Sequence, residues 1–170
     1  MSKSGAKSIA LYPGSFDPIT LGHVDIIHRL AGFYQEIVVL VANSPAKSQM
    51  FTTAERAKLI KASLPDVKNV RVEVFDGLTV DYARKVGAKV ILRGLRAVVD
   101  FEYEFAMANM NRKLAPDLET MIVFTRTEYS FVSSRMVKEV ALYGGALDSL
   151  VPPPVAKALN ARVAELKGKS

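Results

Sequence analysis

Hydrophobic positions along the chain follow two alternating patterns. Short runs rich in β-branched residues are typical of buried strands, whereas apolar residues three or four positions apart are typical of helices. The first pattern occurs at five places along the 170 residues. It predicts strands at SIALY (8–12), EIVVLVA (36–42), NVRVEVF (69–75), KVIL (89–92) and TMIVF (120–124).

Helical patterns fill the segments between these strands. After the first strand, apolar residues recur at helical spacing from Val24 to Tyr34. The start of the next helix is marked by Thr52 and Glu55, which have the spacing of a capping box. With the glycine and proline signals added, the pattern predicts helices at 52–64, 81–87, 101–114 and 133–144. A final helix is predicted at PPPVAKALNARVAELK (152–167), with its prolines at the start.

The order of these elements, with strands and helices in alternation, determines the fold class that we expect. It predicts an α/β protein with a doubly wound, five-stranded parallel sheet, in a single domain over residues 1–170. In such folds, ligands bind at the carboxyl ends of the strands, near the point where the strand order reverses. We therefore expect functional residues in the segments that follow strands.

Composition narrows the class of partner. The net charge is +6 and the basic residues are scattered, so a small anionic ligand is favoured over nucleic acid. The chain has no cysteine, which excludes disulfides and thiol catalysis. The longest apolar run, 37–42, is far shorter than the roughly 20 residues of a membrane span, and the N-terminal sequence lacks the apolar core of a secretory signal. We therefore expect no membrane partner and a cytoplasmic location.

The most specific stretch is LYPGSFDPITLGHVDIIHRL, at residues 11–30, between the first strand and the first helix. Gly14 and Gly22 allow the backbone to approach a ligand closely. Gly22 and His23 open a helix, whose free N–H groups and positive dipole end favour a phosphate. Ser15 adds a hydroxyl group, and His23 has a ring nitrogen that can donate to a phosphoryl oxygen. The residues thus predict a phosphate site.

Four stretches carry a resemblance to a known family. TLGH (20–23) is similar to the HxGH signature of nucleotidylyltransferases, with Thr20 in the position of the first histidine. YPGSFDPITLGH (12–23) as a whole resembles the phosphopantetheine adenylyltransferase family. Three further stretches resemble it in the same order: SPAK (44–47), RGLRAVVDFEYEFAMANMNR (93–112) and YSFVSSRMVKEVA (129–141). The resemblance covers about residues 8–160 and implies a Rossmann-like nucleotidylyltransferase fold.

The resemblance also implies an activity. Members of the family transfer the adenylyl group of ATP to 4′-phosphopantetheine, which gives dephospho-coenzyme A and pyrophosphate by direct in-line attack. The resemblance implies Mg²⁺ as the cofactor and a homohexamer as the assembly. Feedback binding of coenzyme A, a product-like molecule that would share the pocket, is a further hypothesis. The alternative that stays open is a related nucleotidylyltransferase with a different phosphorylated acceptor.

The positions that match the family motifs imply which residues of this chain form the site. The resemblance makes His23 the transition-state stabiliser, with Lys47 and Arg96 as further catalytic residues. It implies an ATP site at Ser15, Phe16, His23, Gly94, Leu95, Arg96, Glu104, Tyr129, Ser130, Phe131, Val132, Ser133, Ser134 and Arg135. It implies a phosphopantetheine site at Ser15, Lys47, Thr79, Arg93 and Asn111.

Two of these assignments keep open alternatives. The family pattern often has a small hydroxyl residue at position 135, so Arg135 either adds a phosphate contact or points to solvent. Ser133 and Ser134 suit a helix cap as well as a triphosphate, and the two roles are compatible. No set of protein metal ligands is evident, which agrees with Mg²⁺ bound mainly through substrate phosphates.

Two other function classes are weaker. A serine hydrolase that uses Ser15, His23 and Asp17 is disfavoured, because GSFDP (14–18) lacks the G-x-S-x-G elbow. A nucleic-acid-binding module is permitted by the charge, but no helix-turn-helix, zinc-finger or RNP-type motif supports it.

Overall fold

The structure is a computed structural model that describes residues 8–43 and 49–168. Within these residues, five parallel strands form one sheet in the order β3-β2-β1-β4-β5. The predicted fold class is confirmed. The strands are β1 (Ile9–Gly14), β2 (Glu36–Ala42), β3 (Val70–Phe75), β4 (Val90–Leu95) and β5 (Glu119–Phe124).

Helices follow the strands as predicted, with shifts at some ends. They are α1 (Leu21–Ala31), α2 (Thr53–Ala62), α3 (Thr79–Val86), α4 (Val98–Leu114), α5 (Ser134–Leu142) and α6 (Pro153–Lys167). A 3₁₀ turn, Thr127–Tyr129, precedes α5. Helix α1 ends at Ala31, with Gly32 as its C-cap, although the apolar spacing continues to Tyr34. None of the helices in the described part of the chain is long and apolar enough to cross a membrane.

Strand β4 is longer than predicted, and this matters for the site. The prediction ended the strand at Leu92, but Arg93, Gly94 and Leu95 continue the pairing with β5. Helix α4 begins at Val98, three residues before the predicted start at Phe101. Arg93 is thus a strand residue rather than a loop residue, so its backbone has the fixed geometry of the sheet.

The core has an apolar layer on each face of the sheet. One layer joins alternate residues of the central strands, such as Tyr12 and Val39, to α1, α2, α5 and α6. The other joins Leu11, Val38 and Ile91 to α3. Strand β2 is buried on both faces, which explains why its sequence is an unbroken apolar run.

Thr52 and Glu55 form the predicted capping box at the start of α2. The backbone N–H of Thr52 donates to Glu55 Oε2 at 2.7 Å, and the backbone N–H of Glu55 donates to Thr52 Oγ1 at 3.2 Å. Both interactions satisfy N–H groups that the helix itself leaves free. The capping box therefore fixes the start of α2.

A buried arginine on α2 joins the carboxyl ends of β1 and β2. The Arg56 side chain is fully buried and donates to the carbonyl of Ser15 at 2.6 Å, to the carbonyl of Ala42 at 3.3 Å and to Gln49 Oε1 at 2.9 Å. Burial lowers the pKa of Arg56, and the negative charge of Asp17 opposes this shift. Arg56 thereby links the turn after β1 to both ends of the segment that follows β2.

We expect Arg56→Met to lower the free energy of unfolding by at least about 2 kcal/mol, because it leaves buried carbonyl groups without a donor. Urea unfolding monitored by circular dichroism measures this. Arg112→Met is the matched control, since Arg112 forms an exposed ion pair with Glu119 at 3.1 Å, and its loss should cost less than about 1 kcal/mol. Equal effects of the two substitutions would contradict the role of Arg56.

Candidate active site

The carboxyl ends of β1 and β4 open into a cleft of about 570 Å³. The cleft lies where the strand order reverses, because β1 and β4 are neighbours in the sheet but not in the chain. Its walls come from the turn between β1 and α1, the end of β4, α4 and the start of α5. This is the edge of the sheet at which the sequence predicted the site.

Most of the predicted site residues meet in this cleft. The predicted residues that line it are Ser15, Phe16, His23, Arg93, Gly94, Arg96, Glu104, Val132, Ser133, Ser134 and Arg135. Lys47, predicted to be catalytic and to bind the acceptor, lies outside the described residues. The fold therefore brings together residues from three of the four motif stretches, which are far apart in the chain.

Six predicted residues do not line the cleft: Leu95, Thr79, Asn111, Tyr129, Ser130 and Phe131. Asn111 is buried on α4, and its amide donates to Thr120 Oγ1 at 3.2 Å. Thr79 is the first residue of α3, and Tyr129 lines a second groove beside α1. The contacts of these six residues with a substrate stay predictions.

His23, in the first turn of α1, completes a capping box of unusual composition. Its Nδ1 accepts a hydrogen bond from the backbone N–H of Thr20 at 3.0 Å, and Thr20 Oγ1 lies 2.8 Å from the same nitrogen. A glutamate or glutamine usually has this role. Because a backbone N–H can only donate, Nδ1 carries no proton, and the neutral ring has its proton on Nε2.

The surroundings of His23 keep its ring neutral. Burial, with the positive charges of Arg96 and Arg93, lowers the pKa of His23 from 6.5 to about 4. All three effects disfavour the imidazolium form. His23 is therefore a hydrogen-bond donor through Nε2–H at pH 7. The sequence predicted a donor at this position, and the structure identifies which nitrogen donates.

Phe16 constrains the turn that precedes His23. Its ring packs edge-on against Tyr12 and His23, with centroid distances of 5.5 Å and 5.1 Å. The backbone φ of Phe16 is +46°, a left-handed conformation that is sparsely populated for a large side chain. A Cβ atom on Gly14 would lie 2.9 Å from the Phe16 ring, so only glycine fits at position 14 without a shift. Packing thus fixes the ring against which His23 rests.

Arg93 and Glu104 form an ion pair in the wall of the cleft. Arg93 Nε and Nη2 each donate to a Glu104 oxygen at 2.7 Å, and Arg93 Nη1 donates to the carbonyl of Pro13 at 2.8 Å. Both Glu104 oxygens accept from Arg93, and the predicted contact of Glu104 with ATP stays a prediction. Glu104 therefore orients an arginine of the site.

Arg96 is held in the same way by Asp100, four residues later on α4. Asp100 Oδ2 accepts from Arg96 Nε at 3.0 Å and from its backbone N–H at 3.2 Å, and Oδ1 accepts from Nη2 at 2.9 Å. Sequence reasoning missed Asp100. Its place in the sequence was a usable signal, because Asp100 lies in the first turn of α4 and Arg96 lies just before that helix.

Sequence reasoning also missed Lys138, on α5. Lys138 Nζ donates to Asp17 Oδ2 at 2.8 Å, and the two Asp17 oxygens also accept the backbone N–H groups of Met50 and Phe51. Lys138 lines the cleft one turn after Ser134, so the helical spacing from Ser134 pointed to it. Asp17 is thus engaged with a lysine and two amides.

This arrangement contradicts a serine-hydrolase relay. In such a relay, the histidine Nδ1–H donates to the aspartate. Here Nδ1 of His23 accepts from Thr20 and so carries no proton, while Asp17 pairs with Lys138. The site is built to present donors and positive charges rather than to activate a serine.

Comparisons with known proteins agree with this geometry. Residues 11–140 match the family model described as cytidylyltransferase-like. A phosphopantetheine adenylyltransferase from Bdellovibrio bacteriovorus is 59% identical over 155 residues, which cover 91% of this chain and 97% of the relative. The chain belongs to the phosphopantetheine adenylyltransferase family. A second member, from Desulforudis audaxviator, is 54% identical over 152 residues, which cover 89% of this chain and 93% of the relative.

A solved structure extends the comparison to the fold. A protein from Vibrio parahaemolyticus described as a putative nicotinate-nucleotide adenylyltransferase superposes with a TM-score of 0.69 at 19% identity, covering 91% of this chain and 99% of that one. At this identity the likeness concerns the fold alone. The predictions of a nucleotidyltransferase and of a Rossmann-like nucleotidylyltransferase fold are confirmed.

In this member of the phosphopantetheine adenylyltransferase family, the start of α5 has a serine cap and an arginine, Arg135, with no ion-pair partner among the described residues. Ser133 Oγ accepts from the backbone N–H of Met136 at 3.2 Å, and the Ser134 hydroxyl donates to the carbonyl of Pro18 at 2.7 Å. The capping role of Ser133 is confirmed. Arg135 lines the cleft, is exposed, and forms no ion pair with any residue of 8–43 or 49–168.

The carboxylates of the cleft are engaged in ion pairs, which disfavours a metal ion bound directly by them. Asp17, Asp100 and Glu104 each pair with a cation. In the part of the chain that the structure describes, no three His, Asp or Glu side chains cluster as metal ligands would. Such a site fits an ion that arrives on the substrate phosphates rather than one bound by carboxylates.

We expect the pKa of His23 to appear near 4 rather than 6.5 when the imidazole is followed by nitrogen NMR, because burial and two arginines disfavour its charged form. At pH 7, the spectrum should show the tautomer with the proton on Nε2. Since the folded pKa lies below the unfolded one, His23 should reduce stability progressively as the pH falls from about 6.5 to 4. A midpoint above 6 would contradict the structure.

Proposed function

We propose that the protein transfers the adenylyl group of ATP to 4′-phosphopantetheine, which yields dephospho-coenzyme A and pyrophosphate. The observation that carries the proposal is the neutral His23, fixed as an Nε2–H donor in a cleft with Arg93, Arg96, Arg135 and Lys138. Membership in the phosphopantetheine adenylyltransferase family supports the identity of both substrates.

The reaction needs positioning and charge stabilisation more than proton transfer. A phosphate oxygen of the acceptor attacks the α-phosphorus of ATP, and the bond from this phosphorus to the bridging oxygen breaks as pyrophosphate leaves. The nucleophile is already an anion at neutral pH, so no general base is required. In His23, Nδ1 already accepts from Thr20 and Nε2 already carries the proton, so neither nitrogen is available as a base. This agrees with a reaction that depends on positioning.

His23 would act on the charge that develops in the transition state. Its Nε2–H would donate to a non-bridging oxygen of the α-phosphate, whose negative charge increases as the fifth bond forms. A donor that is already oriented costs no reorganisation at that moment. The bond from Thr20 provides this orientation, because it fixes the ring and its tautomer together.

The cations of the cleft divide into paired and unpaired groups. Arg93, Arg96 and Lys138 each face an acid of the protein, and Arg135 does not within the described residues. Because Arg93 uses three N–H groups on Glu104 and Pro13, it would offer the acceptor phosphate its charge and its remaining N–H groups. Arg135 is free to bind the outer phosphates of ATP, and Lys47 is proposed to bind the acceptor.

Mg²⁺ is proposed to enter with ATP. Bound to the phosphates, it would supply positive charge to the leaving pyrophosphate. The ion pairs of Asp17, Asp100 and Glu104 support this route, since they occupy the carboxylates that line the cleft. The protein's own residues would orient the phosphates around the ion.

A homohexamer is proposed as the assembly. Helix α4 exposes large apolar side chains, with exposed fractions of 86% for Val98 and 84% for Val99, and Phe124 at the end of the edge strand β5 is 70% exposed. Contiguous exposed apolar side chains typically mark a surface that another protein covers. Other copies of the chain would cover it.

We also propose a cytoplasmic location and feedback binding of coenzyme A, which shares most of its structure with the product.

Release of pyrophosphate with a panel of acceptors tests the function. We expect turnover with 4′-phosphopantetheine and ATP, and at least about 100-fold lower kcat/KM with nicotinate mononucleotide or glycerol phosphate, because their groups beyond the phosphate differ. A preference for either of these acceptors would overturn the assignment in favour of a related nucleotidylyltransferase.

His23→Ala tests the role of the histidine. We expect kcat to fall by about 100-fold or more, with a smaller change in the affinity for ATP, because the lost donor acts mainly in the transition state. His28→Ala is the matched control, since the His28 side chain is 40% exposed and lies outside the cleft. A His23 variant with unchanged kcat would remove this residue from the mechanism.

A further inference from the structure

Residues 125–133 join β5 to α5 and are here named the nucleotide loop. Thr125, Val132 and Ser133 of this loop line the cleft, on the side proposed for ATP. Its internal hydrogen bonds are local: Tyr129 N–H donates to the carbonyl of Arg126 at 2.9 Å, and Val132 N–H donates to that of Tyr129 at 3.0 Å. Two further bonds tie the ends of the loop to the end of β4 and the residue after it: Thr125 N–H donates to the carbonyl of Leu95 at 3.0 Å, and Arg96 Nη1 donates to the carbonyl of Val132 at 3.5 Å. None of these bonds connects the loop to α1.

A buried carboxylate on α1 makes that connection. Asp25, 9% exposed, lies two residues after His23 and faces two arginines. Its Oδ1 is 3.0 Å from Nε of Arg126, in the nucleotide loop, and its Oδ2 is 3.1 Å from Nε of Arg29, on α1. Arg29 also donates to the carbonyl of Phe124, the last residue of β5, at 2.6 Å. Helix α1, which carries His23, is thus linked to the first residues of the nucleotide loop.

The loop and α1 are also in close contact. A Cβ atom on Gly22 would lie 3.3 Å from Thr125 Cγ2 and 3.4 Å from Tyr129 Cβ. Gly22 directly precedes His23, so a displacement of the loop relative to α1 would change the distance between the nucleotide and the Nε2 donor. In-line reactions are sensitive to displacements of this kind.

Arg126 is not part of the cleft wall. It lines a separate groove of about 380 Å³ with Asp25, His28, Arg29 and Tyr129. A contact between Arg126 and ATP would require another conformation of the loop. Stability alone explains the cluster poorly, because a buried ion pair contributes little net stability against an apolar replacement.

We propose that Asp25 and Arg126 are positioning residues, which hold the nucleotide loop against α1 and so set the position of ATP relative to His23. This inference rests on the proposed function. Neither residue touches the substrates. Their effect should concern the nucleotide and leave the acceptor largely unaffected.

Steady-state kinetics of Asp25→Asn, Arg126→Gln and the double variant test the proposal. We expect KM for ATP to rise about 10-fold in each single variant and no further in the double variant, because both substitutions break one link. KM for 4′-phosphopantetheine should stay within about twofold. Asp117→Asn is the matched control: it breaks an exposed ion pair, with Arg84 at 2.6 Å, and should leave both KM values unchanged.

Two kinetic results would overturn the proposal. An unchanged KM for ATP in Arg126→Gln would show that the loop does not need the link. Effects that multiply in the double variant would show that Arg126 acts independently of Asp25, as a direct contact with ATP would. Equal increases in both KM values would indicate a general structural role and would also contradict the proposal.

Calorimetric binding of ATP without acceptor separates this inference from the proposed function. If the wild-type protein fails to use 4′-phosphopantetheine, the proposed function fails, but a 10-fold loss of ATP affinity in Arg126→Gln still supports the link. If Asp25→Asn does not fold, Arg126→Gln alone decides, because Arg126 is 57% exposed and its removal leaves Asp25 paired with Arg29. Unchanged ATP affinity in that variant overturns the inference.

Discussion

The hydrogen bond from the backbone N–H of Thr20 to Nδ1 of His23 connects the fold to the chemistry. It caps α1, and because an amide cannot accept, it leaves the ring proton on Nε2. Burial, together with the two arginines nearby, lowers the pKa of His23 and keeps the ring neutral. One interaction therefore determines where the helix begins, how the ring is oriented and which chemical role it has. A donor suits a reaction in which the nucleophile is already charged.

Electrostatics of the cleft follow a common scheme. Each carboxylate in its wall pairs with a cation of the cleft: Glu104 with Arg93, Asp100 with Arg96, and Asp17 with Lys138. The pairs reduce repulsion between the clustered cations and order their side chains before phosphates arrive. Such preorganisation lowers the entropic cost of binding a polyanion. Helix α4 contributes two of these acids on one side and exposes an apolar surface on the other.

Much of the site was predictable because it is local in sequence. The turn from Gly14 to His23 combines glycines, a hydroxyl group and a histidine within ten positions, and a motif of this length carries its own geometry. Arg93 and Arg96 come soon after the apolar run that predicts β4. The omissions have physical reasons as well. Lys138 and Asp17 are 121 residues apart, and nothing in either local sequence indicates the other. The same holds for Asp25 and Arg126, which meet only because α1 packs beside the end of β5.

The sequence by itself determined the α/β class, the parallel sheet and the edge of the sheet that holds the site, because hydrophobic spacing and chain order suffice to specify these features. Only the tertiary structure decided that β4 continues through Gly94, that Glu104 faces Arg93, and that His23 accepts through Nδ1. These outcomes depend on distances and directions between side chains from separate elements. Such distances are set by how the helices pack on the sheet, which no single stretch of sequence encodes.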